Sequence, residues 1–253
     1  MKSKVIFITI LIFVTSCVSK KEIYYLQDAE NLSGSEFLYQ SATIQPNDIL
    51  KITVETLVPE AAIPYNKFSN QGQIPQNIDL LRLDGYLVDT NYDIVFPFLG
   101  NINTKGLTTN QLALKIKDKL IEGGQLNNPN VNVRLINAKV SILGEVNQPG
   151  TYNFTEQNIT ILQALGYAND LTIDGKRDDI TVVREVDGVR NVKHINITAS
   201  DFMNSDFYFV KPNDVIIVNP NEKSVKSAGI IGNIGTVLTI ASITLSAIIL
   251  LTR

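Results

Sequence analysis

The side chains that most often carry chemistry are scarce in this chain. It has 253 residues but a single cysteine, Cys17, and a single histidine, His194. One cysteine excludes an internal disulfide and a CxxC redox motif, and one histidine leaves little room for a metal centre or a catalytic triad. The sequence contains no phosphate-binding loop with its lysine, no HExxH and no GxSxG. We therefore predict no metal, no cofactor and no enzymatic activity.

Asp178 and Asp179 form an adjacent carboxylate pair that acid–base chemistry would need. They follow Gly175-Lys176-Arg177, and this composition predicts a solvated turn instead of an active site. His194 lies on the second strand of a predicted hairpin, and counting back through its two-residue turn places it opposite Thr181. We interpret His194 as a residue of the strand surface, because a ligand role needs partners that the sequence does not supply.

Charge and composition narrow the possible partners. Lys and Arg total 22 and Asp and Glu total 25, which gives a net charge of −3. Lys2 and Lys4 lie in a segment that we predict to be removed, and their loss leaves a net charge of about −5. This balance excludes a polybasic nucleic-acid binder, and a hydrophobic fraction of 44% excludes wholesale disorder.

The N-terminus has the pattern of a bacterial lipoprotein signal. Two lysines precede an apolar run from Val5 to Val14, which is too short to span a bilayer as a helix. The next residues, Thr15-Ser16-Cys17, resemble a lipobox. The resemblance implies cleavage of residues 1–16 and acyl chains, such as diacylglycerol and palmitate, on Cys17; Val18 in place of Asp implies delivery to the outer membrane. The alternative is a short signal anchor with an incidental cysteine.

Residues 17–42 are predicted to form a polar, lipidated tether, and residues 43–137 a small α+β unit. Alternating apolar residues indicate strands over 49–55, over 86–88 and 92–96 around an Asp89-Thr90-Asn91 turn, and over 131–135. Thr108 followed by Gln111 is a capping-box pattern. It predicts a helix that ends at Gly123-Gly124 and shares one face among Leu112, Ile116 and Leu120.

Residues 138–222 predict a second unit, again strand-rich with one helix. A strand over 140–146 is followed by a Pro149-Gly150 turn. Thr160 with Gln163 forms another capping-box pattern and predicts a short helix through Leu165. Asp187-Gly188 between two apolar runs predicts a hairpin whose strands cover 180–186 and 189–197.

One turn occurs twice, once in each predicted unit. Pro46-Asn47-Asp48 and Pro212-Asn213-Asp214 both precede an apolar strand. Proline presets φ, asparagine tolerates the left-handed region, and aspartate can bond the following backbone amides. We predict that Asp48 and Asp214 fix the start of their strands and bind nothing.

The C-terminus carries a second long apolar segment, without charge from Ser227 to Thr252. It predicts a transmembrane helix over residues 227–252. Small or polar residues recur at steps of three and four, and so share one helical stripe: Ala228, Gly232, Gly235, Thr239, Ser242 and Ser246. The stripe fits either helix packing around a pore or a simple membrane anchor, and spacing does not decide between them.

Two sets of short sequence blocks resemble a known family. The first unit contributes Leu83 to Tyr86, Ile94 to Gly100, Gly106-Leu107-Thr108 and Pro129 to Val133, and the second unit contributes Val140 to Tyr152, Ile161 to Ala168 and Ile180 to Glu185. The first set is similar to polysaccharide export domains and the second to soluble-ligand-binding β-grasp domains. With both chain ends, the whole resembles the Wza-type outer-membrane polysaccharide export lipoproteins. The family turn is usually Pro-Gly-Asp, and asparagine replaces that glycine at little cost.

The resemblance implies an α+β chain with an export domain followed by one β-grasp domain. It also implies an oligomeric ring whose C-terminal helices cross the outer membrane, with most of the chain in the periplasm. Capsule or exopolysaccharide would be the transported substrate, and an inner-membrane polysaccharide co-polymerase would be the partner. A second hypothesis is a lipid-anchored module that binds glycan or peptidoglycan without forming a pore.

Overall fold

The computed structural model describes residues 23–32, 39, 41–67, 84–227 and 234–251, so Cys17 lies outside the described part of the chain. Buried apolar side chains form two clusters, one within residues 44–133 and one within residues 138–218. We call the surrounding structures the first unit and the second unit. Each combines sheet and helix, which confirms the predicted α+β class.

The first unit packs a helix against a three-stranded antiparallel sheet of order β2-β1-β5, with a separate two-stranded hairpin. In chain order its elements are β1 (Ile49–Glu55), α1 (Pro59–Ala62), β2 (Tyr86–Leu87), β3 (Asp93–Phe96), β4 (Gly100–Asn103), α2 (Thr109–Glu122) and β5 (Asn130–Leu135). Helix α2 buries Leu112, Ile116 and Leu120, the face predicted from the sequence. This face covers the apolar side of the sheet, as an amphipathic helix must.

The start of α2 is determined locally by the predicted capping box. The Gln111 N–H donates to Thr108 Oγ1 over 3.3 Å, and the Thr108 N–H donates to Gln111 Oε1 over 2.8 Å. Two N–H groups that the first helical turn leaves unpaired are thereby satisfied. At the other end, Gly124 has a φ of +64°, which glycine adopts without a steric penalty.

Strands β2 and β3 flank the predicted 89–91 turn but do not pair with each other. Strand β2 adds to β1, whereas β3 forms a hairpin with β4. The Asp89 carboxylate accepts the N–H groups of Asn91 and Asp93, each over 2.8 Å, and so turns the chain away from the line of β2. The sequence does not predict β4, because its asparagines are poor strand formers.

The second unit is a five-stranded mixed sheet of order β10-β9-β12-β6-β7, in which only the β12–β6 pair is parallel within the described residues. A two-stranded ladder, β8 with β11, lies beside it. In chain order the elements are β6 (Lys139–Gly144), β7 (Gly150–Asn153), β8 (Ile159–Thr160), α3 (Ile161–Tyr167), β9 (Gly175–Val186), β10 (Val189–Ile195), β11 (Phe209–Val210) and β12 (Val215–Pro220). Helix α3 begins at the predicted Thr160–Gln163 capping box.

Several strand limits differ from the prediction, and two of the differences have a clear structural reason. Strand β6 ends at Gly144 and not at Val146, because Gly144 has a φ of +88° and a Cβ there would lie 2.1 Å from the Val218 carbonyl oxygen. Strand β9 begins at Gly175, so Asp178 and Asp179 belong to a strand. The prediction of a solvated turn for this pair is wrong, because β12 pairs with β9 on both sides of it, at Ile180 and, after an irregularity in the ladder, at Gly175.

The predicted hairpin between β9 and β10 is confirmed. Asp187 and Gly188 have φ values of 53° and 77°, both in the left-handed region that a two-residue hairpin turn requires. Its register places His194 opposite Thr181, as predicted.

Part of the predicted tether lies against the second unit. The Leu26 N–H donates to the Ile197 carbonyl over 3.1 Å, and the Gln27 N–H donates to the Thr198 carbonyl over 2.8 Å. The Asp28 carboxylate accepts both the N–H and the hydroxyl of Ser200, over 2.7 and 2.9 Å. We call residues 23–32 the N-terminal segment. It packs against the second unit, although the first unit follows it in the sequence.

Two helices follow the second unit, α4 (Glu222–Ser227) and α5 (Ile234–Leu251). Within the described ranges, no helix combines the length and the apolar character that crossing a membrane requires. The transmembrane helix predicted over residues 227–252 is therefore not confirmed. Of the predicted stripe, Ala228 and Gly232 lie outside the described residues, whereas Gly235, Thr239, Ser242 and Ser246 lie on α5.

Candidate functional site

The two Pro-Asn-Asp turns have the same backbone geometry. Asn47 and Asn213 have φ values of 70° and 67°. Asp48 Oδ2 accepts the Gln45 N–H over 2.9 Å, and Asp214 Oδ2 accepts the Lys211 N–H over 2.8 Å. Each aspartate therefore bonds the amide three residues before it, and not the following amides as the sequence suggested.

Each turn also joins the start of its strand to a neighbouring segment. In the first unit the Asn47 N–H donates to the Val88 carbonyl over 2.9 Å. In the second unit the Asn213 N–H donates to the Lys139 carbonyl over 2.7 Å. Each turn therefore fixes the position of the strand that follows it, relative to the segment that accepts this hydrogen bond.

The second turn contains a buried ion pair. Arg184 and Asp214 are 4% and 1% exposed, and Arg184 Nη2 lies 2.7 Å from Asp214 Oδ2 while its Nε lies 3.0 Å from Oδ1. The guanidinium also donates to the carbonyls of Asp206 and Phe209, each over 2.8 Å. Burial raises the pKa of Asp214, and the Arg184 guanidinium opposes that rise. Asp214 thus has a partner within the chain, and the prediction that it binds nothing outside the chain stays a prediction.

The first turn has no such cation. Asp48 is 3% exposed, and within the described residues its carboxylate forms no ion pair. Burial raises the pKa of Asp48 to about 6, and the hydrogen bond from the Gln45 N–H opposes the rise. The same turn therefore carries a compensated carboxylate in one unit and an uncompensated one in the other.

A hydrogen-bonded clasp joins the two units beside the first turn. The Asp187 N–H donates to Gln45 Oε1 over 3.0 Å. The Tyr92 hydroxyl donates to Asp187 Oδ1 over 3.0 Å, and burial together with this carboxylate raises the pKa of Tyr92. The tip of the β9–β10 hairpin is thereby held between two loops of the first unit.

A cavity of about 380 Å³ lies between the units. Its walls come from β5 and the start of α2 in the first unit and from the loop after β7 in the second. They mix apolar and polar side chains, among them Val133, Phe154, Asn110, Asn132, Arg134 and Glu156. This size and location are typical of sites that bind small ligands.

His194 belongs to a polar cluster on the exposed face of β9 and β10. Its Nδ1 lies 2.6 Å from Asp179 Oδ1, and Lys176 Nζ lies 3.0 Å from Asp179 Oδ2. Lys176 and then His194 lower the pKa of Asp179. Among the described residues no three His, Cys, Asp or Glu side chains come together in a group that could hold a metal ion.

Comparison with known proteins assigns both units. Residues 39–136 match the family described as "Polysaccharide biosynthesis/export protein", and residues 138–218 match the SLBB domain. The chain belongs to the Wza-type polysaccharide export family. The match to two domains in this order reproduces the resemblance inferred from the sequence blocks.

Two relatives in this polysaccharide export family come from Ralstonia. The "EPS I polysaccharide export outer membrane protein EpsA" of Ralstonia solanacearum is 26% identical over 203 residues, which cover 77% of this chain and 52% of the relative. The protein of the same name from Ralstonia nicotianae is 31% identical over 152 residues, which cover 54% of this chain and 38% of the relative. The chain thus spans about half of the first relative's length and less of the second's.

Sequence reasoning does not find several residues of the second turn and of the contact between the units. Arg184 lies on a predicted strand 30 residues before its partner Asp214, and Gln45 and Tyr92 lie in loops. One signal was present for Arg184: a charged residue in the apolar part of a strand, where an unpaired charge is costly. The Pro149-Gly150 turn lies where predicted, with Gly150 as the first residue of β7.

Proposed function

We propose that this chain is a subunit of a machine that exports polysaccharide, capsule or exopolysaccharide, across the outer membrane. The observation that carries the proposal is the pair of adjacent domain matches, to the export family over 39–136 and to the SLBB domain over 138–218. The names of the two relatives point the same way. Because the chain spans only part of those relatives, its substrate is inferred from them and not from a complete counterpart.

In this proposal Cys17 is lipidated and anchors the chain in the outer membrane, and the body of the chain lies in the periplasm. Subunits close into a ring, the C-terminal helices from residues 227–252 cross the outer membrane, and an inner-membrane co-polymerase delivers the polysaccharide. A ring follows from head-to-tail contacts that close on themselves. We place no chemical step in this chain, because a translocation path requires a wall and not a catalyst.

Export is tested in the organism that carries the chain. Cells that lack it are expected to lose polysaccharide from the cell surface and to retain it in the periplasm, as measured by sugar analysis of the two fractions. Reintroducing the full chain should restore the surface polysaccharide. Normal surface polysaccharide without the chain would contradict the proposal.

Anchoring is tested by mass spectrometry of the N-terminus. The mature protein is expected to begin at an acylated Cys17, and Cys17→Ser should leave a precursor that retains residues 1–16. A free Cys17 thiol in the wild-type protein would contradict lipid anchoring. One acyl chain binds a membrane only marginally, so the proposal requires several chains or a second anchor.

One observation favours the second candidate, a lipid-anchored module that binds glycan or peptidoglycan without a pore. On α5 the hydroxyls of Thr239, Ser242 and Ser246 each donate to a carbonyl of their own helix, over 2.7 to 2.9 Å. Hydroxyls satisfied in this way need neither a neighbouring helix nor water. The stripe is therefore compatible with a single anchoring helix.

Substitution of the stripe separates the two candidates. In a ring, Gly235→Leu or Ser242→Leu should disrupt the oligomer or block export while the protein still reaches the membrane. Leu238→Ile, on the bulky stripe of the same helix, is the matched control and should be silent. Electron microscopy of the detergent-extracted protein gives the ring directly. Unchanged rings and normal export in both stripe variants would contradict a role of this stripe in the pore.

A further inference from the structure

Two cations occupy positions that neighbouring strands normally avoid. Lys51 on β1 and Arg134 on β5 are directly opposite in the antiparallel ladder. Such residues share one face of the sheet with Cβ atoms about 5 Å apart, and like charges there destabilise the sheet. Both side chains are exposed, and no carboxylate within the described residues forms an ion pair with either. The fold itself does not offset this repulsion.

The rest of this sheet face does not neutralise the pair: on the side of β2 it carries Ile49 opposite the exposed Leu87, and toward the other end it is polar. Thr53 lies opposite Asn132, and Glu55 lies opposite Asn130. Glu55 is the acidic residue of the face, but it is two cross-strand pairs away from Lys51 and accepts a hydrogen bond from Asn130 over 3.3 Å. The end of the face that carries the two cations therefore attracts an anion from outside the chain.

Arg134 lines the cavity between the units, and Lys51 lies opposite it on the neighbouring strand. Arg134 and Asn132 line this cavity together with Asn110 from α2 and the apolar side chain of Phe154. Among the described residues that line the cavity, Glu156 has the one carboxylate, and this side chain accepts the N–H of its neighbour Thr155 over 3.0 Å. The cavity thus offers amide and guanidinium donors beside an apolar surface, which suits a ring that carries hydroxyls on its edges.

We propose that Lys51 and Arg134 bind the carboxylate of an acidic saccharide whose sugar ring enters the cavity. Arginine presents a planar fork that matches a carboxylate, and lysine adds a point charge from the neighbouring strand. Asn110 and Asn132 bond the hydroxyls. This inference rests on the proposed export function and names the chemical class of the polysaccharide, a chain that contains uronic acid residues.

Binding is measured by calorimetry on the full chain purified in detergent, with trigalacturonate as the probe and the neutral maltotriose as its matched control. The wild-type protein is expected to bind trigalacturonate, more weakly as salt is added, and to bind maltotriose much less. Lys51→Gln and Arg134→Gln should each weaken trigalacturonate binding about fivefold. Both variants should fold, and their melting temperatures should not fall, because each removes a like-charge contact.

Lys193→Gln is the control variant, because Lys193 is an exposed lysine on β10 in the second unit and away from the cavity. It should bind trigalacturonate like the wild type. Equal binding of the two sugars, or an unchanged affinity in the double variant of Lys51 and Arg134, would overturn the site. So would a changed oligomer mass in Arg134→Gln with unchanged trigalacturonate binding, because the cations would then serve a protein contact.

The same measurements distinguish this site from the proposed function. If cells without the chain lose surface polysaccharide but the purified chain does not bind trigalacturonate, the saccharide site is wrong and the export function stands. If the chain binds trigalacturonate but cells without it export normally, the site stands and the export function is wrong.

Discussion

At Asn47 and Asn213 the chain makes the same turn twice, yet the buried aspartates that follow have different interaction partners. Asp214 lies against the Arg184 guanidinium, which also bonds two carbonyls and stacks over the Phe207 ring at 4.3 Å. Asp48 keeps only its hydrogen bond from the Gln45 backbone among the described contacts. Turn geometry is therefore local, whereas the compensation of a buried charge depends on a residue far along the chain.

The two turns also have different structural roles. The second turn is tied into its own unit, because Arg184 connects it to Asp206 and to Phe209 at the start of β11. The first turn faces the other unit. The backbone N–H of Gln45 belongs to the turn, and the side chain of the same residue accepts a hydrogen bond from Asp187 of the second unit. One copy of the turn stabilises a unit, and the other positions a contact between units.

Removing the cation of the second turn should have the largest effect. Arg184→Met leaves Asp214 buried without its partner, and breaking a buried pair in this way costs about 3–5 kcal/mol of unfolding free energy. Chemical denaturation, followed by a spectroscopic signal from the second unit, measures the loss of unfolding free energy. Arg190→Met, which removes a surface pair with Glu185, is the control and should change stability little. Equal losses of unfolding free energy in the two variants would show that burial does not make the Arg184–Asp214 pair more important for stability than a surface pair.

The first turn should respond to pH in the opposite sense to an ordinary aspartate. The pKa of Asp48 is raised from 3.8 to about 6 in the folded protein, so the folded state holds this proton more tightly than the unfolded state. Its ionisation therefore costs stability as the pH rises from about 4 to about 6, and the full cost remains at pH 7. Asp48→Asn should be more stable than the wild type at pH 7, by on the order of 2 kcal/mol.

This advantage of Asp48→Asn should disappear near pH 3, which lies below both pKa values, so that the wild-type carboxyl is mostly neutral in both states. Asp214→Asn provides the contrast, because it should be less stable than the wild type at pH 7 through the loss of the charge opposite Arg184. Denaturation curves at pH 3 and pH 7 measure both. A destabilised Asp48→Asn at both pH values would mean that the first turn is compensated after all.

The shared backbone of the turns predicts equal responses to a change at the asparagine. Asn47→Ala and Asn213→Ala should each cost about 1–2 kcal/mol, because alanine is strained at a φ near +70°. Glycine at either position should change stability by much less, since it adopts this conformation freely. Thermal melting of the four variants tests this. A large difference between the two alanine variants would break the equivalence of the turns.

The smallest effect concerns the role of the first turn in the contact between the units. Tyr92→Phe removes the hydroxyl that donates to Asp187 and should lower stability by about 0.5–1.5 kcal/mol. Hydrogen exchange should rise at the hairpin tip and not in the interior of β9. Tyr24→Phe is the control at an exposed tyrosine of the N-terminal segment. Unchanged exchange at the tip would show that the clasp does not hold the hairpin.

Features encoded over a few residues were predictable, and features that depend on distant partners were not. The capping boxes at Thr108 and Thr160 and the Asp187-Gly188 turn need only local spacing, and all three are formed. The cation opposite Asp214 and the strand that extends through Asp178 and Asp179 depend on β9 meeting β12. No local pattern contains that pairing.

The candidate site follows the same division. The apolar rows of β1 and β5 indicate which residues face outward, so the alternation alone places Lys51 and Arg134 on exposed faces. That the two cations are opposite each other depends on the strand register, and the cavity depends on how β5 meets the loop after β7. Neither the strand register nor the packing of the two units can be predicted from any single segment of the sequence.

The return of the N-terminal segment to the second unit has a mechanical consequence. Leu26, Gln27 and Asp28 attach the start of the chain to residues 197–200, while at the other end the Asn221 N–H donates to the Asp174 carbonyl over 2.7 Å. Tension applied between the two ends is therefore carried by the second unit alone, and the first unit is a side branch without load. A stretched molecule should release the Asp28–Ser200 attachment before any force reaches β1.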